Sequence, residues 1–143
     1  MAEPGPEPSP DNPLRGSCLC GGVQFELTEK PGRLTHCHCT TCKRLSGGVG
    51  TVNVGVPTSS VKVVRGDDLV RTFQPDEGSA KTFCSRCGAN LFGAGWPESE
   101  RTSVRVPTLA DYEPEPGSHI FVRSRAPWET LPDDGLERFD VRP

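Results

Sequence analysis

The clearest short-range pattern in the chain is VQFEL, Val23 to Leu27, where apolar and polar residues alternate in the period of a half-buried strand. TVNVGV from Thr51 and VKVV from Val61 have the same β-branched character. Further short apolar runs lie at Leu69 to Phe73, Lys81 to Phe83, Asn90 to Phe92, Thr102 to Val106 and His119 to Val122. Turn signals such as RGDD, PDEGS and EPEPG separate them, so the pattern predicts about eight strands. Helix is expected only for a turn or two after Thr40 and for a short piece near Thr108 to Tyr112. Short strands at roughly ten-residue spacing without alternating helices predict an antiparallel all-β fold with few short helices.

Composition refines this expectation. The 143 residues suit one domain, and hydrophobic residues make up only 33% of them, with aromatics at 6%, so cross-links are expected to supplement a modest core. Residues 1–13 hold five prolines and no apolar periodicity, the composition of a disordered Pro-rich tail, which leaves 14–143 as a single domain. A net charge of −3 and a pI near 5.6 argue against nucleic acid or an anionic membrane as partner. No stretch approaches a membrane span, and the N-terminal residues lack the basic and apolar regions of an export signal, so a cytoplasmic location is expected.

In a reducing compartment, clustered cysteines serve metals or catalysis more often than disulfides. All seven cysteines fall into short chelating groups. Cys18 and Cys20 form a CxC pair whose sulfurs project to one side of an extended segment while Leu19 points away. Cys84 and Cys87 form a CxxC knuckle, in which Gly88 permits a turn that other residues resist. The two pairs together make a four-thiolate set suited to a structural Zn2+, with a disulfide as the alternative. Cys37, Cys39 and Cys42 form a CxCxxC run that can converge on a second ion. A fourth ligand there could be a histidine, a carboxylate, water or substrate. In an extended segment His36 and His38 have the opposite parity to Cys37 and Cys39, which favours an open position over a Cys₃His site.

An open three-thiolate zinc is a weak Lewis acid but suits thiol chemistry: an incoming thiol is deprotonated and remains nucleophilic toward a carbonyl carbon, giving a hemithioacetal. Lys43 and Arg44 beside the run, with Arg123 and Arg125 farther along, are candidates for binding a substrate carboxylate. Ser46 is a candidate donor to a developing alkoxide, and His38 a proton relay. Surface charge, loop formation and packing are the ordinary roles of these same residues. His119 reads as structural, and Trp96 and Trp128 as core or rim packing.

Four segments carry a resemblance: GSCLCGGVQFE (Gly16 to Glu26), HCHCTTCKRLSGG (His36 to Gly48), FCSRCGANLF (Phe83 to Phe92) and HIFVRSRAPW (His119 to Trp128). Together they resemble the glutathione-dependent formaldehyde-activating enzyme family, also called the centromere protein V or GFA domain. The resemblance implies an Mss4-like β fold with zinc-ribbon-like knuckles. It also implies Cys18, Cys20, Cys84 and Cys87 as structural zinc ligands and Cys37, Cys39 and Cys42 as catalytic ones. The implied activity is condensation of formaldehyde with glutathione, a carbon–sulfur lyase reaction in reverse, with a small thiol and aldehyde as partners. A non-catalytic zinc-dependent thiol binder remains the alternative reading.

Overall fold

The computed structural model describes residues 7–143. Eleven strands, one α-helix and four 3₁₀ turns are found among them. A three-stranded sheet has the order β1 (Leu14–Ser17), β2 (Gln24–Leu27), β5 (Val61–Arg65). The second sheet has eight strands in the order β11 (Glu137–Arg138), β10 (Pro116–Ile120), β3 (Leu34–Cys37), β4 (Thr51–Pro57), β9 (Arg101–Arg105), β8 (Asn90–Gly93), β7 (Lys81–Cys84), β6 (Val70–Phe73). The expected all-β class is therefore observed, but the pairing is not wholly antiparallel: β10 runs parallel to both β3 and β11. The β3–β10 pair joins segments far apart in the chain, so no hairpin forces it to be antiparallel.

Alternation builds the core. Phe25 and Leu27 of β2, Val54 and Val56 of β4, Leu91 and Phe92 of β8 and Val104 of β9 are all fully buried. Phe25 meets Phe92 edge to face at 4.9 Å, and Trp96 packs tilted against Phe92 at the same distance. A Cβ on Gly16 would lie 2.2 Å from the Phe25 ring, so β1 can cover that ring only with glycine there. Cys18 and Cys84 belong to this main core, whereas Cys37 and Cys42 form a smaller cluster with Ile120, backed by Phe121 and Phe139.

The helix expected after Thr40 is present as α1 (Thr40–Ser46), but the Thr108 to Tyr112 expectation is met only by a 3₁₀ turn at Val106–Thr108. Trp128 is 79% exposed and packs into no core, contrary to the reading of a chain that needs both tryptophans inside. Of the expected tail, residues 1–6 lie outside the described residues; within 7–13, a local turn is closed by the reciprocal backbone hydrogen bonds of Ser9 and Asn12 at 3.1 and 3.0 Å. No helix among the described residues is long and apolar enough to cross a membrane.

Candidate metal centres

Two short turns bring four sulfurs together. Gly21, with φ of 75°, follows the CxC pair, and Gly88, with φ of 79°, follows the CxxC pair. The Gly88 N–H donates to the Cys84 carbonyl at 2.7 Å and the Gly21 N–H to that of Cys18 at 3.2 Å, so the two knuckles are built alike. Leu19, between the first two cysteines, is 87% exposed as expected, but at a turn that follows β1 rather than in an extended segment. The sulfurs of Cys18, Cys20, Cys84 and Cys87 all lie within 4.8 Å of one another. Cys18 and Cys20 sulfurs are 3.5 Å apart and those of Cys20 and Cys84 3.9 Å. These are too long for a disulfide and close to the roughly 3.8 Å edge of a tetrahedron with metal–sulfur bonds of about 2.3 Å. All seven cysteines are free thiols. Backbone hydrogen bonds at Ala89 and Cys20 lower the Cys87 thiol to about 6, so it is readily available as thiolate. The donor set fits a soft metal such as zinc.

The three sulfurs of Cys37, Cys39 and Cys42 form a second group, also within 4.8 Å of one another. Cys37 ends β3, Cys39 caps α1 with its sulfur accepting the Cys42 N–H at 3.3 Å, and Cys42 lies in the first turn of that helix. A Cβ on Gly50 would lie 2.1 Å from the Cys37 carbonyl oxygen, which fixes how closely β4 enters beneath this loop. Thiol hydrogen bonds from Cys37 and Cys42 pull Cys39 down to about 2, and the same interactions, together with burial, push Cys37 up. Three crowded sulfurs thus share protons and cannot all ionise without a nearby cation, which is the electrostatic condition a bound metal relieves.

Neither neighbouring histidine joins the group. His36 stacks on His119 at 4.5 Å and His38 on the same ring at 5.2 Å. A hydrogen-bonded line runs from Asp134 Oδ2 to His119 Nε2 at 2.7 Å and from His119 Nδ1 to His38 Nε2 at 2.9 Å, with Glu129 Oε2 3.6 Å from His38 Nδ1. His119 is buried. Hydrogen bonds from His119 and then from the Leu136 backbone hold the Asp134 carboxyl below its ordinary 3.8. A depressed carboxyl stabilises the fold above its unfolded value and loses that contribution as pH falls through the native one. Asp134→Asn is therefore expected to flatten the part of the stability profile below about pH 3.8, as read by unfolding at stepped pH.

The basic candidates divide. Lys43 Nζ donates to the Ser124 carbonyl at 2.5 Å and Arg125 Nη1 to the Val122 carbonyl at 3.1 Å, so both are committed to backbone. Arg123 and Arg44 are exposed, and Arg44 makes no hydrogen bond or ion pair among the described residues. Ser46 Oγ accepts the Gly48 N–H at 3.0 Å and donates to the Lys43 carbonyl at 3.4 Å, the loop role expected for Ser-Gly-Gly. It also lines a cleft of about 600 Å³ with Cys18, Leu19, Asn90 and Arg105.

Arg105 was not found by sequence reasoning. It is 6% exposed; burial lowers its pKa, while the sulfurs of Cys42, Cys37 and Cys39 work in favour of its charge. Lys81 is similarly placed: burial lowers its pKa, Arg105 adds to that, and the same three sulfurs work against it. In RTSVRV the alternation puts Val104 inward and Arg105 outward, so only the fact that β9 is covered on both faces could have revealed it.

The model of the family described as "Glutathione-dependent formaldehyde-activating enzyme" matches residues 13–124. This chain belongs to that family. A curated relative from Halomonas elongata, named provisionally as a glutathione-dependent formaldehyde-activating enzyme, is 27% identical over 124 residues, covering 80% of this chain and 78% of its own. The crystal structure of a Rhodobacter sphaeroides protein superposes with a TM-score of 0.58 at 22% identity, covering 88% of this chain and 99% of that one. That likeness bears on the fold of this family member alone.

Proposed function

We propose that the chain, through one domain over residues 14–143, joins a low-molecular-weight thiol to a small aldehyde and cleaves the same adduct in reverse, as a carbon–sulfur lyase. The pair named in the family description, glutathione and formaldehyde, is the proposed substrate pair. The observation that carries the reading is the three-sulfur group with no histidine or carboxylate completing it among the described residues. In the reaction the thiol S–H and the carbonyl π bond are exchanged for a C–S bond and an O–H bond, so no redox partner is needed.

Cys37, Cys39 and Cys42 would hold the catalytic Zn2+, and Cys18, Cys20, Cys84 and Cys87 the structural one. When bound, zinc at the three-sulfur group supplies a position at which a thiol loses its proton readily. Arg105 and Lys81 offset negative charge gathered around the three sulfurs. Ser46 is proposed to face the substrate from the cleft rim and Arg44 to meet it from solvent. The thiol state of all seven cysteines suits a reducing, cytoplasmic setting.

Hemithioacetal formation from ¹³C-formaldehyde, followed by NMR exchange with and without metal-loaded protein across several thiols, tests the proposal. Acceleration over the spontaneous rate with at least one thiol is expected. No acceleration with any of them overturns it. The burial of Cys37 and Cys42, at 7% and 4% exposed, also suits a protein that holds a thiol adduct without turning it over. Tight thiol binding without acceleration selects that second reading.

A further inference from the structure

One face of the eight-stranded sheet carries both the three-sulfur group and two cations. Cys37 of β3 is opposite Thr51 of β4, and Asn53, two residues on, is opposite Arg105 of β9. Cross-strand partners share a face, as do residues two apart on a strand, so Cys37, Thr51, Asn53 and Arg105 project to the same side. The contacts agree: Arg105 Nη1 donates to Asn53 Oδ1 and, at 3.4 Å, to Thr51 Oγ1, which sets the guanidinium beside the rung that holds Cys37. Gly93 of β8 is opposite Ser103 on this face, and a Cβ there would lie 3.0 Å from Arg105 Nη2. The register that pairs Thr82 with Phe92 carries Lys81 of β7 to the rung of Gly93, so the absent side chain leaves Lys81 and Arg105 as neighbours. Neither cation has a carboxylate partner among the described residues; Glu129 and Asp134 face His38 and His119 instead. Arg105 is buried with Nε and Nη2 unpaired, Lys81 Nζ meets Ser79 Oγ at 3.1 Å, and α1 contributes no acid. Holding a buried arginine beside a half-buried lysine without a counter-ion is costly, and the anions that act on both are the sulfurs of Cys42, Cys37 and Cys39.

We propose that Arg105 and Lys81 set the ligand preference of the three-sulfur centre, making its open position a site for an anion and disfavouring a neutral donor such as water or an imidazole. The inference deepens the thiol–aldehyde reading and rests on it for the open, metal-holding position. Three thiolates and a divalent ion leave one negative charge, against two positive charges from Arg105 and Lys81. An anionic fourth ligand brings the sum to zero. A neutral one leaves a positive charge in a buried place without a partner. Completion of the site by a histidine is thus opposed by charge as well as by the stacking of His36 and His38 on His119. The two side chains act through space, so they determine specificity and take no part in bond making. If they served only the fold or the ionisation of the three cysteines, their loss would weaken metal binding but treat charged and neutral ligands alike.

Cobalt-substituted protein is titrated with azide, an anion, and with imidazole, a neutral donor, and the visible ligand-field bands report binding at the three-sulfur centre; the four-sulfur site, with no position open, adds a constant background. The quantity read is the ratio of azide to imidazole affinity. Lys81→Met and Arg105→Met are each expected to lower that ratio about tenfold, the scale Coulomb's law gives for one charge on the order of 10 Å from the ligand at an effective dielectric of about 20. Lys81→Arg keeps the charge and is expected to leave the ratio standing. Lys81 is half-buried at the start of β7, so its variants are expected to fold even where Arg105→Met does not. A ratio unchanged in Lys81→Met, or lowered as much in Lys81→Arg as in Lys81→Met, overturns the proposal and leaves the open centre in place. Bands that answer to neither ligand remove the open centre itself, and the thiol–aldehyde reading with it. A tenfold change in the ratio without any acceleration of hemithioacetal formation upholds the charge preference and removes the catalytic reading alone.

Discussion

Cys87→Ser is expected to yield a protein that binds one metal ion in place of two and melts about 10 °C or more below the wild type. The four-sulfur group joins the loop before β2, in the small sheet, to the β7–β8 turn in the large one. Cys20 and Cys84, whose sulfurs are 3.9 Å apart, are 64 residues apart in sequence. A cross-link over a loop of that length restricts the unfolded chain strongly, and a structural zinc site contributes its binding energy directly to folding. A loss of about 3 to 5 kcal/mol corresponds, for a chain of this size, to a melting shift of about 10 to 20 °C. Cys87 is the informative position because it is less buried than Cys18 or Cys84, so serine there removes a ligand without burying a hydroxyl in the core. Metal analysis and thermal unfolding read the result. Two ions at an unchanged melting temperature would mean that Cys87 is not a ligand on which the site or the fold depends.

This site was legible in the sequence because its chemistry is local. Each half is a three- or four-residue motif with its own glycine turn, and the only long-range step is that the halves meet. Strands β2, β4 and β5 were legible for a similar reason, since alternation in VQFEL, TVNVGV and VKVV reports a half-buried surface directly. Strands β1, β3 and β11 were not. LRGS and LTHC carry no alternation of apolar residues, and two residues of β11 carry no pattern at all. β1 is a strand because the neighbouring β2 folds back on it, and β3 and β11 because β10 offers them edges: β3 pairs with β10 through Leu34 to Cys37 against Pro116 to Ile120. The histidines show the same limit. Parity alone directed His36 and His38 away from the sulfurs, but nothing local announces that His119, itself held by Asp134, receives them. Arg105 is the sharpest case, because its neighbours in sequence argue for solvent and its neighbours in space bury it.

Cys39→Ser is expected to separate the chemistry from the fold: adduct formation falls to the spontaneous rate, one metal ion is lost, and the melting temperature moves by only a few degrees. The local physics favours a tolerant backbone. Cys39 is the N-cap of α1, with its sulfur accepting the Cys42 N–H, and serine is a preferred residue at that position, so its hydroxyl keeps the cap. The surrounding apolar cluster is small, with Cys37, Cys42 and Ile120 as its buried members, and Cys39 is only half-buried beside it. The donor set, in contrast, does not survive. Cys39 is the sulfur most inclined to ionise, held down to about 2 by hydrogen bonds from Cys37 and Cys42, whereas a serine hydroxyl remains protonated and is a poor partner for a soft ion. Two sulfurs cannot replace three. Cys37→Ser would be a less clear test, because Cys37 is 7% exposed and a hydroxyl there adds a burial cost to the lost ligand. A full rate in Cys39→Ser would remove the three-sulfur group from the reaction. A collapse in melting temperature equal to that of Cys87→Ser would assign both groups to structure and leave the chain without an open centre.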